Sequence, residues 1–271
     1  MKKISGLIIF FLAFSIAYSV STSLFEITSL SDYLEGEIQG LIASSDGTLR
    51  PGAETERIEI NEEAVWSTLI HPDGSIYIGT GNNGRVLVLR EKALTTTLET
   101  GELIVTCLAI GSDARVYAGT VPGGRIFVIS PKGKEAKEFC RLDDPYIWSL
   151  ALDKDGTIFA GTGPRGRLYA ISKNGEARVV FEAHASHIVR LARSESGDIL
   201  AGTSQDGYLY RISPKGKAEV LYDFLEEEIN AILPIGNEEI IVGLNIGPTR
   251  PEPKPKTPLP EDKEQKEKEE E

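Results

Sequence analysis

Residues 146–171 read YIWSLALDKDGTIFAGTGPRGRLYAI, and this segment has four counterparts elsewhere in the chain. They are AVWSTLIHPDGSIYIGTGNNGRVLVL (64–89), IVTCLAIGSDARVYAGTVPGGRIFVI (104–129), HIVRLARSESGDILAGTSQDGYLYRI (187–212) and a shorter copy, INAILPIGNEEIIVGLNIG (229–247). One glycine recurs in all five copies at spacings of 40, 42, 41 and 41 residues: Gly79, Gly119, Gly161, Gly202 and Gly243. A fixed period of this length indicates a repeat architecture.

Each repeat reads as four short β-strands. Residues 147–152 alternate between the two faces of a first strand, and Asp155-Gly156 supplies a tight turn after it. IFAGT and RLYAI read as the second and third strands, and the Lys173-Asn174-Gly175 turn leads to a fourth strand in ARVVFEA. Four strands in about forty residues form the blade of a β-propeller. The sequence therefore predicts an all-β fold made of four-stranded blades.

The two ends of the repeat region predict how such a propeller closes. The last copy supplies only a first and a second strand, whereas GLIASSDG (40–47) reads as a third strand with its turn and TERIEI (55–60) as a fourth. We therefore expect a five-bladed propeller over residues 36–247, with a composite closing blade built from both termini. Closure would remove the open sheet edges. The alternative is an open arc whose remaining blades are missing or supplied by another chain.

The repeats resemble the secreted bacterial propellers of the NHL, WD-like and regulator-propeller superfamily. HPDGSIYIGTGNNGRVLVL (71–89) is similar to the NHL pattern of an aspartate-glycine turn, a β-strand and an asparagine-rich turn, and the GT-x-x-x-G-R loops resemble those of sensor propellers. The blades lack the Gly-His and Trp-Asp pairs of true WD repeats, and Gly79 stands where NHL repeats carry an aspartate, which leaves the subfamily open. Longer relatives carry a Pro-rich insert in a later blade, which implies that this chain is a fragment if its C-terminal segment is such an insert.

Composition and charge exclude several classes of protein. The 271 residues contain 29 Lys and Arg against 41 Asp and Glu, a net charge of −12, which argues against a nucleic-acid binder because such proteins need a basic surface. With 41% apolar residues, the chain is too hydrophobic to be disordered throughout.

The two termini differ in character from the repeats. Residues 1–20 combine two lysines with a run of 17 uncharged residues, which is the pattern of a secretory signal peptide. We expect cleavage after Ser19 or Ser21, with an uncleaved membrane anchor as the alternative, and hence a periplasmic, extracellular or outward-facing anchored protein. A lead segment (21–35) follows. Residues 248–271 are Pro-rich and then Lys/Glu-rich, which predicts a solvated, disordered tail.

The two cysteines are predicted to be free. Cys107 lies in a first strand and Cys140 in the fourth strand of the same blade. Three strand spacings put them roughly 14 Å apart, whereas a disulfide needs Cα atoms within about 7 Å. We therefore expect two mostly buried thiols.

Three short motifs resemble chemical sites but are explained by the repeat. Residues 79–84 and 161–166 match a dinucleotide-binding fingerprint, yet a strand follows each of them where the fingerprint needs a helix. Residues 153–156 resemble the opening of a calcium loop without its later carboxylates. His184 and His187 have no third ligand nearby. We expect no cofactor and no bound metal.

A binding site is expected on the face where the first strands begin and the loops between strands two and three lie. Arginines and aromatic rings around a concave mouth suit a protein, or a small anionic or sugar-like ligand. The alternative is that the tryptophans pack between blades and the arginines cap the edges of neighbouring blades. The candidate ligand-binding residues are Trp66, Arg85, Arg125, Tyr146, Trp148, Arg167, His187 and Tyr208.

The sequence predicts a non-catalytic, exported and monomeric propeller that acts as a binding or protein-interaction module. No nucleophile elbow and no zinc-type Cys/His set occurs in it. The alternative is a propeller enzyme, a metal-dependent hydrolase, lactonase or lyase, with its site at the mouth of the central channel. A third hypothesis is a truncated sensor or assembly factor whose tail leads to a partner. The acidic residues expected on the same face are Glu62, Glu63, Asp143, Asp144 and residues 226–228.

Overall fold

A computed structural model describes residues 29–34, 36, 38, 40–53, 55–224, 228–236 and 239–245. The predicted signal peptide (1–20) and tail (248–271) lie outside the described residues. The chain forms two compact units, Met1–Glu59 and Ile60–Glu271, and each is described by itself. Within the described ranges, the one helix is far too short to cross a membrane.

The first unit contains a helix and a two-stranded hairpin. Helix α1 (Leu30–Leu34) is capped by Ser29, whose Oγ accepts a hydrogen bond from the Asp32 N–H. Strands β1 (Leu41–Ala43) and β2 (Leu49–Pro51) are antiparallel. The expected fourth strand at residues 55–60 is wrong: no strand forms there, because the tight Ser44–Thr48 turn pairs Leu49 with Ala43 at once.

The second unit is built from four-stranded antiparallel sheets, as the repeat predicts. We call them blades 1 to 4, and the two strands after them the terminal hairpin. Blade 1 is β3 (Val65–Ile70), β4 (Ile76–Thr80), β5 (Arg85–Arg90) and β6 (Ala93–Glu99). Blade 2 is β7 (Ile104–Ile110), β8 (Val116–Val121), β9 (Arg125–Ile129) and β10 (Ala136–Arg141). Blade 3 is β11 (Tyr146–Leu152), β12 (Ile158–Gly163), β13 (Arg167–Ile171) and β14 (Ala177–Glu182). Blade 4 is β15 (His187–Arg193), β16 (Ile199–Ser204), β17 (Tyr208–Ile212) and β18 (Ala218–Asp223).

The terminal hairpin consists of β19 (Glu228–Ile235) and β20 (Glu239–Asn245). It supplies the first and second strands of the fifth repeat, as expected, and one pairing of Ser204 with Glu228 links it to blade 4. Completion of this blade by strands from the N-terminal end, and the five-bladed closure that depends on it, stay predictions.

The turns between first and second strands use the predicted chemistry. In blade 1, Gly74 has a positive φ of 84°, and the Asp73 carboxylate accepts a hydrogen bond from the Ser75 N–H. The same position is glycine in blades 3 and 4. In blade 2 it is Ala114, which adopts a φ of 61°.

The hydrophobic core is divided among the junctions between neighbouring blades. Each blade uses alternate residues of its two central strands to face two neighbours, so that Val128 and Phe127 belong to different clusters. One cluster joins blades 1 and 2, a second joins blades 2 and 3, and a third joins blades 3 and 4.

A knob-and-socket contact repeats at every junction. The recurring glycine of one blade is a socket, and a β-branched residue from the first strand of the next blade is the knob. A Cβ added at Gly119 would lie 2.7 Å from Cγ2 of Ile147, and one added at Gly161 would lie 2.8 Å from Cγ2 of Ile188. Only glycine leaves room for the knob. The four pairs are Val105 on Gly79, Ile147 on Gly119, Ile188 on Gly161 and Ile229 on Gly202.

The two cysteines are free, which confirms the prediction. Cys107 lies in β7 and Cys140 in β10, at opposite edges of blade 2, and both are half-buried.

Candidate functional site

Every first strand of the second unit carries a β-bulge at the same position. In blade 3 the register shifts between Ile147 and Ser149, which makes Trp148 the extra residue. A bulge bends the strand and redirects the side chain of its extra residue. The bulge residues are Trp66, Thr106, Trp148, Val189 and Asn230, so both tryptophans of the chain lie at bulges.

Three of the predicted site residues meet at the junction of blades 3 and 4. The Trp148 indole N–H donates a hydrogen bond of 2.9 Å to Nδ1 of His187. The ring of Tyr146 lies 5.6 Å from that of Trp148 and 6.3 Å from that of His187, measured between centroids. We call Tyr146, Trp148 and His187 the aromatic site; all three are half-buried.

The chemistry of His187 follows from its surroundings. Its Nδ1 accepts the hydrogen bond from the Trp148 N–H, so in the neutral ring Nε2 carries the hydrogen. Burial lowers the pKa of His187, and the nearby negative charge of Glu228 raises it by less. The imidazole is therefore neutral at pH 7 and offers an N–H donor.

A glycine opposite the aromatic site leaves the space that the His187 ring occupies. Gly163 is paired with Tyr146 across the sheet, and a Cβ there would overlap the His187 ring. Sequence reasoning missed Gly163, although the alignment holds a signal. The two blades that carry a bulge tryptophan have glycine at this position (Gly81 and Gly163), whereas the other three copies have Val121, Ser204 and Asn245.

Trp66 occupies the equivalent bulge of blade 1 in a more open setting. A Cβ added at Gly81 would lie 2.5 Å from its Nε1, which shows that the indole packs over the glycine of its own blade. The side chain is 54% exposed. Trp66 and the aromatic site lie at the same strand ends, in different blades.

The three predicted arginines do not form a free cationic cluster. Each begins the third strand of its own blade and is paired with glutamates of that blade or of the loop before it. Arg85 contacts Glu62 and Glu99, each at 3.2 Å. These ion pairs lie within one blade or reach the loop before it, so they do not show the arginines capping a neighbouring blade.

The other two arginines are paired in the same way. Arg125 contacts Glu138 at 2.6 Å and Glu102 at 3.3 Å, and the hydrogen bond that it donates to Glu138 raises the pKa of Arg125. Arg167 contacts Glu182 at 2.8 Å, and this carboxylate raises the pKa of Arg167.

Tyr208 stands where the other blades have arginine. Its ring lies 5.8 Å from that of Tyr210, and its N–H donates to Oγ1 of Thr203. The structure brings it to neither the aromatic site nor Trp66.

Two acidic residues of this face, Asp144 and Glu63, accept hydrogen bonds from side chains in or beside the loops between second and third strands. Asp144 is fully buried and accepts hydrogen bonds from Thr162 at 2.8 Å and Arg165 at 2.5 Å. Glu63 accepts a hydrogen bond from Asn82. Glu228 lies in β19, and residues 226 and 227 are outside the described part of the chain. Among the described residues, no three His, Cys, Asp or Glu side chains are grouped so that they could hold a metal ion.

Comparisons with known proteins show the fold. No protein-family model and no curated protein matches the chain. Solved structures do match. The chain is similar to virginiamycin B lyase from Staphylococcus aureus, in the catalytically inactive variant with quinupristin, at 19% identity and a TM-score of 0.54, over 61% of this chain and 58% of the lyase.

Two other matches are to proteins other than the lyase. One is to a nidogen/laminin complex, at 12% identity and a TM-score of 0.57, over 66% of this chain and 72% of that one. The other is to a gluconolactonase-like protein, at 15% identity and a TM-score of 0.53, over 75% of this chain and 77% of that one.

The chain spans between 54% and 60% of the length of the lyase structures that it matches. At these identities the likeness establishes architecture alone. Four-stranded blades, joined in sequence by the same contact and matched to propellers of several kinds, lead to one conclusion: this chain has a β-propeller fold.

Proposed function

We propose that this chain is an exported, non-catalytic binding module that engages a protein segment through the face carrying Trp66 and the aromatic site. One observation carries the proposal: the repeated bulge places both tryptophans of the chain at the same strand ends, and Trp66 is left more than half exposed there. Tryptophan and tyrosine are enriched at protein interfaces because they combine a large apolar area with a polar group.

The charges of this face favour apolar recognition over anion binding. Arg85, Arg125 and Arg167 are each within ion-pair distance of glutamates, so an anionic ligand would have to displace a carboxylate. A peptide with an apolar side chain, or the flat face of a sugar ring, would contact the exposed indole without this competition.

Selection of ligands tests the proposal. A random peptide library displayed on phage is panned against the immobilised protein, and an oligosaccharide array is probed in parallel. Binding is then measured by isothermal titration calorimetry, whose signal does not depend on the tryptophan that is replaced. We expect selected peptides to lose at least about tenfold in affinity in Trp66→Ala, since truncation of a tryptophan at an interface centre costs more than about 1.4 kcal/mol.

Tyr222→Ala is the matched control, because Tyr222 is an exposed aromatic residue on the fourth strand of blade 4. Peptides that bind Trp66→Ala and Tyr222→Ala equally well would contradict the proposed face. If the protein binds sugars on the array and the library yields no peptide, the ligand of this face is a sugar and not a protein segment.

A propeller enzyme is the second candidate, and His187 favours it. A neutral imidazole held in one tautomer by Trp148 is a group that can take part in proton transfer. The matched lyase structure is of a variant in which a histidine is replaced by alanine, and this variant is catalytically inactive. Turnover of a lactone or of quinupristin that is lost in His187→Ala and kept in His184→Ala would favour the enzyme over the binding module.

A further inference from the structure

The two ends of the second unit expose the two halves of the blade junction. At the C-terminal end, Gly243 is the fifth socket. Among the described residues, a Cβ added there would meet only Ala231 of its own hairpin within 4 Å. At the N-terminal end, Val65 occupies the knob position of blade 1 and is 46% exposed, whereas all four knobs at internal junctions are 0% exposed.

The exposed apolar residues around Gly243 and Val65 extend the same correspondence. Ile241 in β20 is equivalent to Tyr77, Tyr117, Phe159 and Leu200, which the next blade covers to 4% exposure or less. Ile241 itself is 56% exposed. At the opposite end of β3 from Val65, Ile70 is exposed as well. We call Val65 and Ile70 the head face, and Ile241 and Gly243 the tail face.

We propose that the head face of one copy of this chain docks on the tail face of a second copy, with Val65 seated on Gly243. The contact would continue the junction that the chain already forms four times, and the repeat predicts its geometry: a β-branched knob from a first strand over a socket glycine. The occupant is a second copy because the same chain supplies this knob, which no socket of the described residues holds. The proposal does not depend on the ligand or activity proposed above.

Docking of this kind is heterologous, since the two faces differ. In a docked pair, one copy still has a free head face and the other a free tail face, so further copies can add at both ends. Association should therefore rise with protein concentration beyond a dimer, unless rotation between copies closes a ring.

Cysteine cross-linking tests the contact directly. At internal junctions, a Cβ on the socket would lie 3.4 Å from the knob Cβ (Gly119 and Ile147) or 3.3 Å (Gly161 and Ile188). A disulfide joins Cβ atoms about 3.8 Å apart. We mix Val65→Cys with Gly243→Cys, each as the purified full chain, under mild oxidation. The expected product is a covalent dimer that neither variant alone nor the wild type forms.

Light scattering after size exclusion, over a range of concentrations, supplies the second measurement. We expect Ile241→Asp to weaken association at least about tenfold, because it places a charge in an apolar contact. Val220→Asp is the matched control, on an exposed apolar residue of β18. Both variants should keep the wild-type circular dichroism, since both positions are open in a single copy.

Two results would overturn the proposal. The first is a monomer at every concentration with no cross-linked dimer. The second is an internal disulfide in the monomeric double variant Val65→Cys/Gly243→Cys without any dimer, which would mean that one chain closes on itself.

Discussion

Gly119 and Gly243 occupy the same position of the repeat but lie in opposite environments. Gly119 is buried between blades 2 and 3, with Ile147 against it, whereas Gly243 is half-buried and faces no side chain from another blade in the described structure. The same repeat position therefore forms a tight junction in one place and an open face in the other. The difference teaches that the repeat encodes half of each contact, and that the neighbouring blade supplies the other half.

The largest effect is expected from filling the sockets. In Gly119→Val, the new Cβ would lie 2.6 Å from Sγ of Cys107 and 2.7 Å from Cγ2 of Ile147, so both blades must shift. We expect a loss of at least about 3 kcal/mol in the free energy of unfolding. Gly243→Val should cost less than about 1 kcal/mol, because only the Ala231 Cβ lies close, at 3.2 Å. Urea denaturation followed by circular dichroism measures both; equal losses would contradict the comparison.

Removing the knobs is the reciprocal test. Ile147 is fully buried, and Ile147→Ala should lower the free energy of unfolding by about 2–5 kcal/mol through lost burial and the cavity left behind. Val65→Ala in the exposed counterpart should change it by no more than about 1 kcal/mol. The measurement is made at protein concentrations low enough to keep the chain monomeric. A costly Val65→Ala under these conditions would show that Val65 is seated within its own chain.

The blades could be predicted from the sequence because their signals are local. Alternation along the strands, Gly-containing turns and the 40-residue period all report on neighbours close in the chain, and the strands of blades 1 to 4 lie where these signals place them. The expected strand at residues 55–60 failed because it rested on a weak match in a segment outside the repeats. There, a tight turn at Ser44–Thr48 determines the pairing.

The candidate site was only partly predictable. The aromatic residues were identified, but their arrangement depends on a β-bulge at Trp148, and alternation by itself does not reveal a bulge. The arginines were identified as well, but not their ion pairs, such as the one between Arg167 and Glu182 of the same blade. Which carboxylate meets which arginine depends on strand register, and register is a property of the folded sheet.

Thiol reactivity sharpens the comparison between the two junctions. Cys107 lies beside the Gly119 socket, and burial raises the pKa of its thiol to about 11; its counterpart beside Gly243 is Ala231, which is exposed. In Ala231→Cys, we expect the new thiol to react with a disulfide reagent at pH 8 at least about 100-fold faster than Cys107, because the thiolate is the reactive form. Mass spectrometry of the labelled peptides separates the sites, and Cys140, whose pKa burial raises to about 12, is an internal reference.

The smallest effect is expected from acid at the aromatic site, where blade 3 meets blade 4. The folded chain lowers the pKa of His187 below its value of 6.5, so the unfolded chain binds the proton more readily. The stabilisation from the neutral ring is complete above pH 6.5 and is lost as the pH falls through the lower, folded pKa. Protonation also removes the lone pair of Nδ1 that accepts the Trp148 hydrogen bond.

The urea midpoint should therefore fall on acidification, with a change in tryptophan emission, and His187→Gln should flatten that part of the pH profile. His184→Gln, at an exposed position three residues away, should keep it. A profile that is the same in both variants and the wild type would show that the Trp148–His187 contact contributes nothing to the junction between blades 3 and 4.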